Sequence, residues 1–411
     1  MKKKVIIAIA DGIGDRPIKE LGNLTPLEYA KVPHLNLIAK QGITGMMDPI
    51  APGIPVGTDM GHLILFGNDY HLYPGRGPIE AVGEQMDIKK GDVAFRCNFA
   101  TRVEPNIIQD RRAGRIRLGT QELAKVLDGQ MIDDVQIIFK EATEHRAVLI
   151  LRGEGLSCNV SDTDPKAPND GQPFKLANPM DGTPEAKKTA EILNKVLDLA
   201  YKLFKDHPVN LERKARGELP ANFIITRGAG IMTDFKKITE ELGFKGAVIA
   251  GESTVLGMAK ISGMTPITHK NFTGSIDTDV ELKAQLALEA LRDNDVVYVH
   301  LKTPDIQGHD NQPFKKVKAI ELFDQLVGVL LENIDEETYI ALVADHSTPC
   351  SVGEHSGDPV PIAIAGSDMR HDRVTAYNEI DCSAGGLGRI TGHDFIWTIL
   401  DLLGKIPKQG N

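Results

Sequence analysis

Lys4-Val5-Ile6-Ile7-Ala8-Ile9-Ala10-Asp11-Gly12 is an unbroken apolar run that ends on a carboxylate. Apolar residues without alternation mark a strand buried on both faces, as in a parallel sheet covered by helices. Ligands of open α/β sheets bind beyond the carboxyl ends of the strands, so Asp11 stands where a ligand would be met. Taken alone, Asp11-Gly12 is equally a turn signal. The pattern returns near the other end of the chain, however. The apolar run 295–301 leads into Lys302-Thr303-Pro304-Asp305-Ile306-Gln307-Gly308-His309-Asp310. Another, 338–344, leads into Asp345-His346-Ser347-Thr348-Pro349, with Glu354-His355-Ser356-Gly357-Asp358 shortly after. A third strand is read at 360–365, and helices at 279–292, 313–333 and 392–403. Strands alternating with helices predict a doubly wound, mostly parallel α/β sheet.

Between these ends the chain changes character. Thr25-Pro26-Leu27-Glu28 reads as a helix start and 34–41 as a short helix. Ile54-Pro55-Val56-Gly57-Thr58-Asp59-Met60-Gly61-His62 then delivers a hydroxyl directly before an apolar helix. Thr58 there is either an N-cap or a nucleophile, because a helix start also favours phosphate and developing anions. Tyr73-Pro74-Gly75-Arg76-Gly77-Pro78 is a rigid exit. Arg96, Arg102, Arg111, Arg112, Arg115 and Arg117 crowd one span, either as a solvated surface or as a grip on carboxylate or phosphate. Apolar alternation at 135–139 and 147–151 predicts strands, and 184–204 an amphipathic helix. Segments 222–226 and 247–250 read as strands, 234–242 and 253–261 as helices. Residues 1–69 and 274–411 are therefore expected to form one discontinuous domain, interrupted by a second α/β domain at 70–273.

A chain of 411 residues exceeds one simple core, which agrees with two domains. Its net charge of −10 argues against nonspecific nucleic-acid binding. Cys97, Cys158, Cys350 and Cys382 are scattered and suit reduced thiols. No apolar run is long enough to span a bilayer, so no membrane partner is expected. The basic start at Met1 lacks the cleavage pattern of a signal peptide, so a cytoplasmic protein is expected.

Asp and His without thiolate suit a borderline or hard divalent ion such as zinc, manganese, cobalt or magnesium. Two such ions side by side form a clamp for in-line phosphoryl transfer. That chemistry needs a nucleophile, and Thr58 is the candidate, since metal coordination favours the alkoxide of a hydroxyl.

At these residues the chain resembles the alkaline phosphatase superfamily, and within it the archaeal-type 2,3-bisphosphoglycerate-independent phosphoglycerate mutases. The resemblance runs end to end: Asp11-Gly12, Gly57-Thr58-Asp59 with His62, the 73–78 exit and Arg96-Cys97-Asn98-Phe99. It continues through Asp110-Arg111-Arg112-Ala113-Gly114-Arg115, His145-Arg146-Ala147, Arg152-Gly153-Glu154-Gly155-Leu156, Asp162-Thr163-Asp164-Pro165 and both Asp/His loops. It implies an alkaline phosphatase-like catalytic domain with an inserted substrate-binding domain. One divalent ion would be held by Asp305, His309 and His355, the other by Asp11, Thr58, Asp345 and His346. The resemblance puts manganese first among the metals and implies no 2,3-bisphosphoglycerate. Phosphoglycerate would be held by Arg76, Asn98, Arg111, Arg115, His145 and Arg146, with Arg152, Asp164 and Lys260 as further candidates. Asp164 or Asp110 would shuttle a proton. In one departure, the family pattern carries Ser where this chain has Thr58, and the added methyl crowds a tight metal site.

The implied activity is interconversion of 2- and 3-phosphoglycerate, in glycolysis and gluconeogenesis, through a phosphothreonine. A phosphatase or phosphonate-processing hydrolase of the same superfamily is the alternative, told apart by release of inorganic phosphate. A non-catalytic metal and phosphate sensor is the third, told apart by binding without turnover. Oligomeric state is not legible.

Overall fold

Strand Lys4–Ala10 forms as expected, and Val5 to Ala10 are entirely buried. The computed structural model describes residues 3–166, 170–232 and 237–410. Val296–Leu301 pairs with this strand on one side and Thr338–Val343 on the other, both parallel. Ile9 lies opposite His300 on the first and Val343 on the second. Asp11, Lys302 and Asp345 therefore leave three adjacent strands at the same edge. The full order is Thr265–Ile267, Gly246–Ile249, Val296–Leu301, Lys4–Ala10, Thr338–Val343, Val360–Ala365, Ile43–Asp48 and Gly388–Thr391. Only Val360–Ala365 runs antiparallel to its neighbours, so the sheet is mostly parallel. Among the described residues no helix is long and apolar enough to cross a membrane.

The chain divides into Met1–Tyr73 with Lys236–Asn411, and Pro74–Phe235. The expected boundaries, 69/70 and 273/274, are thus corrected. The first moves because Tyr73 donates its phenolic hydrogen bond back to Asp59. The second moves further, because Gly246–Ile249 pairs in parallel with Val296–Val299 and Thr265–Ile267 extends the same sheet. The helix expected at 234–242 is Ile238–Glu241, and 234–236 lie outside the described residues.

The second unit is built on Val93–Val103, which pairs antiparallel with Arg146–Arg152, Phe223–Ile231 and, at its end, Ile107–Asp110. Every pairing in this sheet is antiparallel, so this unit is not doubly wound. Alternation sorts the central strand. Phe95, Cys97 and Phe99 join the core under helix Pro184–Phe204, whereas Ala94 joins Ala81, Val148 and Ile150 on the other face.

Candidate active site

The hydroxyl of Thr58 turns away from its own helix start toward the strand edge. Helix Thr58–Leu65 is preceded by Gly57 in extended backbone, and no side chain caps it. Thr58 is the first helical residue, and its Oγ1 lies 3.3 Å from His346 Nε2 and accepts from Lys302 Nζ at 3.1 Å. Close approach of this helix to the strand edge requires a glycine one turn on. A Cβ on Gly61 would stand 2.7 Å from the carbonyl oxygen of Asp345. Gly12 answers a similar need at φ +63°, where a Cβ would meet Thr348 Oγ1 at 2.5 Å.

Around the hydroxyl the Asp/His loops converge. His346 Nε2 lies 3.3 Å from Asp11 Oδ1 and 3.2 Å from Asp345 Oδ2, and both oxygens are buried without a hydrogen-bond partner. Two orphaned carboxylate oxygens, an imidazole nitrogen and a hydroxyl facing one point are the donor set of a hard or borderline cation. Asp305 and His309, four residues apart on helix Thr303–His309, face His355 beside this group. Nδ1 of His309 donates to Gly353 O at 2.9 Å, and Nδ1 of His355 to Val56 O at 2.7 Å. Both Nε2 atoms are thereby left as lone pairs, yet they face each other at 3.1 Å. Only a proton or a metal cation between them removes that conflict. Without a metal the proton is held: burial opposes it, but the Asp305 carboxylate raises His355 to about 9. For Asp305 burial opposes the charge as well, and His355 and Lys302 hold its pKa far below the carboxylate range.

Lys302 ties the groups together, with Nζ 3.0 Å from Asp11 Oδ2 and 2.7 Å from Asp305 Oδ2. Burial works against its charge, but Asp11, Asp305 and Asp345 outweigh it and raise its pKa. Behind these ligands, His300 Nε2 bonds Asp11 Oδ2 at 2.8 Å, and His62 Nδ1 lies 2.7 Å from the Thr58 carbonyl oxygen. Thr348 donates to Asp305 at 2.6 Å. Buried Lys316 joins the two loops from below, donating to Gly14 O, Asp15 Oδ2 and Thr348 O.

The second unit, taken by itself, carries a cationic sheet face. Arg96 lies opposite Arg227 and Asn98 opposite Arg146, so these four share one side of the sheet. Helix Arg76–Gly83 brings Glu80, whose Oε1 is 3.2 Å from Arg76 Nε and 3.5 Å from Arg96 Nη1. Burial, reinforced by Arg76, Arg227 and Arg146, lowers Arg96 to about 9, and its Nε has no partner. Burial, with Arg146 and Arg112, pushes His145 down to about 4, so its ring is neutral at pH 7. Arg111 forms a bidentate pair with Asp164, at 2.7 and 2.8 Å, and Asn98 Nδ2 donates to the Arg111 carbonyl. Guanidinium groups outnumber carboxylates here, with Arg76, Arg96, Arg111, Arg146 and Arg227 against Glu80 and Asp164, a surplus of positive charge that suits an anion.

All the expected ligands, Asp11, Thr58, Asp305, His309, Asp345, His346 and His355, come together. So do Arg76, Asn98, Arg111, His145, Arg146 and Asp164 in the second unit, where Arg111 clamps Asp164 and Asp110 accepts from the Arg112 amide. Arg115 departs from them, lining a concavity with Arg213, Arg216 and Glu218. Arg152 does not join: it ends its strand away from Arg146, bound to Asp92 and the Asp87 carbonyl. Lys260 is an exposed cation in the last turn of Ser253–Ile261, in the first unit, where it complements the helix dipole. Sequence reading left His300, Lys302, Thr348 and Glu354 out of the site, and in the second unit Glu80 and Arg227, while Arg96 stood only within the arginine crowd. His300 and Lys302 had a signal, since with Tyr298 they keep the period of two on the strand that faces Asp11.

Sheet, Asp/His groups and hydroxyl define a class: an α/β protein that gathers carboxylates and imidazoles fit to hold a cation around one hydroxyl. The family described as 2,3-bisphosphoglycerate-independent phosphoglycerate mutase matches residues 39–210. The Methanothermobacter thermautotrophicus protein named 2,3-bisphosphoglycerate-independent phosphoglycerate mutase 1 is 47% identical over 99% of this chain and 100% of its own length. The Methanopyrus kandleri mutase is 46% identical over 100% of this chain and 99% of its own. Among solved structures, a Pyrococcus horikoshii protein superposes with a TM-score of 0.84 at 37% identity, covering 100% of both chains. The cofactor-independent phosphoglycerate mutase of Thermoplasma acidophilum gives 0.71 at 33% identity over 98% of this chain and 100% of its own. The chain belongs to the 2,3-bisphosphoglycerate-independent phosphoglycerate mutase family.

Proposed function

We propose that this protein interconverts 2-phosphoglycerate and 3-phosphoglycerate without 2,3-bisphosphoglycerate, by passing the phosphoryl group through Thr58. One observation carries the reading: the Thr58 hydroxyl leaves its own helix uncapped and turns to His346 and Lys302 within the Asp/His cage. Thr58 Oγ1 gives up its proton and forms a bond to phosphorus as the ester oxygen of glycerate leaves with its electron pair and takes up a proton. The second glycerate hydroxyl then loses its proton as it attacks the phosphothreonine, and Thr58 Oγ1 leaves with its electron pair and is reprotonated. Lys302 holds positive charge beside the reacting oxygen, in a buried place where charge counts most. Two divalent cations, manganese first, would supply Lewis-acid stabilisation of the phosphoryl oxygens and of the Thr58 alkoxide. Asp305, His309 and His355 would hold one, and Asp11, Thr58, Asp345 and His346 the other.

The second unit's Arg76, Arg96, Arg146 and Arg227 would bind the substrate's anionic groups. Arg111 would be oriented by Asp164, and His145, neutral at pH 7, would offer a hydrogen bond without adding charge. Retaining glycerate between the two transfers demands that water be kept from the phosphothreonine. The test supplies 3-phosphoglycerate, labelled at phosphorus, without 2,3-bisphosphoglycerate. Label should appear in 2-phosphoglycerate and, after acid quench, on the Thr58 peptide. Label released chiefly as inorganic phosphate would identify a hydrolase instead.

A further inference from the structure

The ligand atoms form three linked groups. His309, Glu354 and His355 make an outer group, Asp305, His346 and His355 a middle one, and Asp11, Asp345 and His346 an inner one. Within each, the ligand atoms lie within 4.8 Å of one another. Neighbouring groups share a histidine: His355 joins outer to middle, and His346 joins middle to inner. The rings of these two shared histidines stack with centroids 3.6 Å apart. Exposure falls along the same line. The side chain of His309 is 34% accessible, His355 15% and Asp305 2%, while His346, Asp11 and Asp345 are closed to solvent. Glu354 is the one member of the series that the reaction does not use. It is exposed, and it accepts from the His355 amide at 3.0 Å, which fixes it beside the histidine with which it would share an ion.

We propose that His309, Glu354 and His355 form a capture site for a divalent cation, from which ions pass inward by exchanging ligands around one shared histidine at a time. A hydrated dication sheds water only as other donors replace it, and a buried bare charge is prohibitively costly. Shared ligands meet that requirement, because each transfer keeps one bond while the next group closes. The carboxylate of Glu354 at the mouth attracts the ion and supplies its first hard donor. Filling is then ordered, the inner group loading through the middle one and its ion leaving last. The inference rests on the reading of this site as a metal centre, and not on the identity of the reaction.

The test mixes metal-stripped, full-length protein with Co²⁺ and follows the visible absorption of bound cobalt by stopped flow, with bound cobalt per chain measured at saturation. Glu354→Gln should slow loading by roughly tenfold, as expected for loss of a steering and receiving charge, and should reach the wild-type cobalt content. Glu354→Asp should recover most of the rate. Asp310→Asn, which removes an exposed charge beside His309, should load like wild type. Equal rates for Glu354→Gln and wild type, or equal slowing by Asp310→Asn, would overturn the capture site. So would a Glu354→Gln variant that saturates with less cobalt, because Glu354 would then be a resident ligand. A wild-type protein that takes up no cobalt would instead overturn the metal centre itself.

Discussion

The two units treat a buried histidine in opposite ways. In the first, His355 stands among carboxylates and is raised to about 9; in the second, His145 stands among arginines and is lowered to about 4. Both are penalised by burial, and the sign is set by the neighbours' charge. The first gathers Asp11, Asp305 and Asp345 around Lys302, a surplus of carboxylate that suits cations. The second sets Arg76, Arg96, Arg111, Arg146 and Arg227 against Glu80 and Asp164, a surplus of positive charge that suits an anion. They also build their sites differently. The first collects residues from loops at the carboxyl ends of parallel strands, whereas the second lays them across one face of an antiparallel sheet.

The largest effect expected on that contrast is at the nucleophile. Thr58→Ala should lower 2-phosphoglycerate formation by roughly 10⁴-fold or more, as removal of an acceptor of the transferred group does. Thr58→Ser should keep most of the activity, and full activity in the alanine variant would remove the first unit's claim to the chemistry. Next, Arg111→Ala should cost about 3–5 kcal/mol in denaturant unfolding, because it strands the buried Asp164 carboxylate. The Arg111→Ala/Asp164→Ala double variant should lose less than the sum of the singles. If Arg111→Ala alone is neutral, the second unit's charges are solvated rather than buried.

Ligand protection sharpens the comparison directly. Mn²⁺ at a hundredfold excess over its dissociation constant should add about 2.7 kcal/mol of stability, read by hydrogen exchange in the backbone of the first unit. A phosphoglycerate should protect strands Val93–Val103 and Arg146–Arg152 of the second. Protection of the second unit by Mn²⁺ alone would break the assignment of charges. The smallest effect concerns His145. With its folded pKa near 4 and an unfolded value near 6.5, the unfolded chain takes up the proton first as pH falls. Its contribution is complete above pH 6.5 and is lost as pH falls from there through 4. After discounting for partial exposure this is on the order of 1–2 kcal/mol. His145→Gln should flatten that slope, and an NMR titration placing His145 at an ordinary value would refute it.

What could be read without coordinates follows the same division. Asp11, Asp305, Asp345 and His346 were legible because a run of apolar residues announces a buried parallel strand, and whatever follows its carboxyl end shares one edge. His309 and His355 followed from proximity in the chain to those ends. The arginines were visible as a crowd, yet the crowd did not say which were inward. Arg96 and Arg227 meet only because strand Phe223–Ile231 pairs with Val93–Val103 across a long stretch of chain. Arg152 was misjudged for the complementary reason, since it shares a strand with Arg146 but stands at its far end, against Asp92.

By itself, then, the sequence determined the strand and helix alternation, the acidic and histidine-rich strand ends and the presence of a hydroxyl at a helix start, because these depend on local periodicity and neighbours in the chain. Tertiary structure alone decided that 246–267 belongs to the first sheet, that Lys260 sits on a helix of the first unit, and that Thr58 faces the cage instead of capping its helix. Those outcomes depend on which strand edge is open and on which of several donors lies nearest in space, and distance along the chain carries neither.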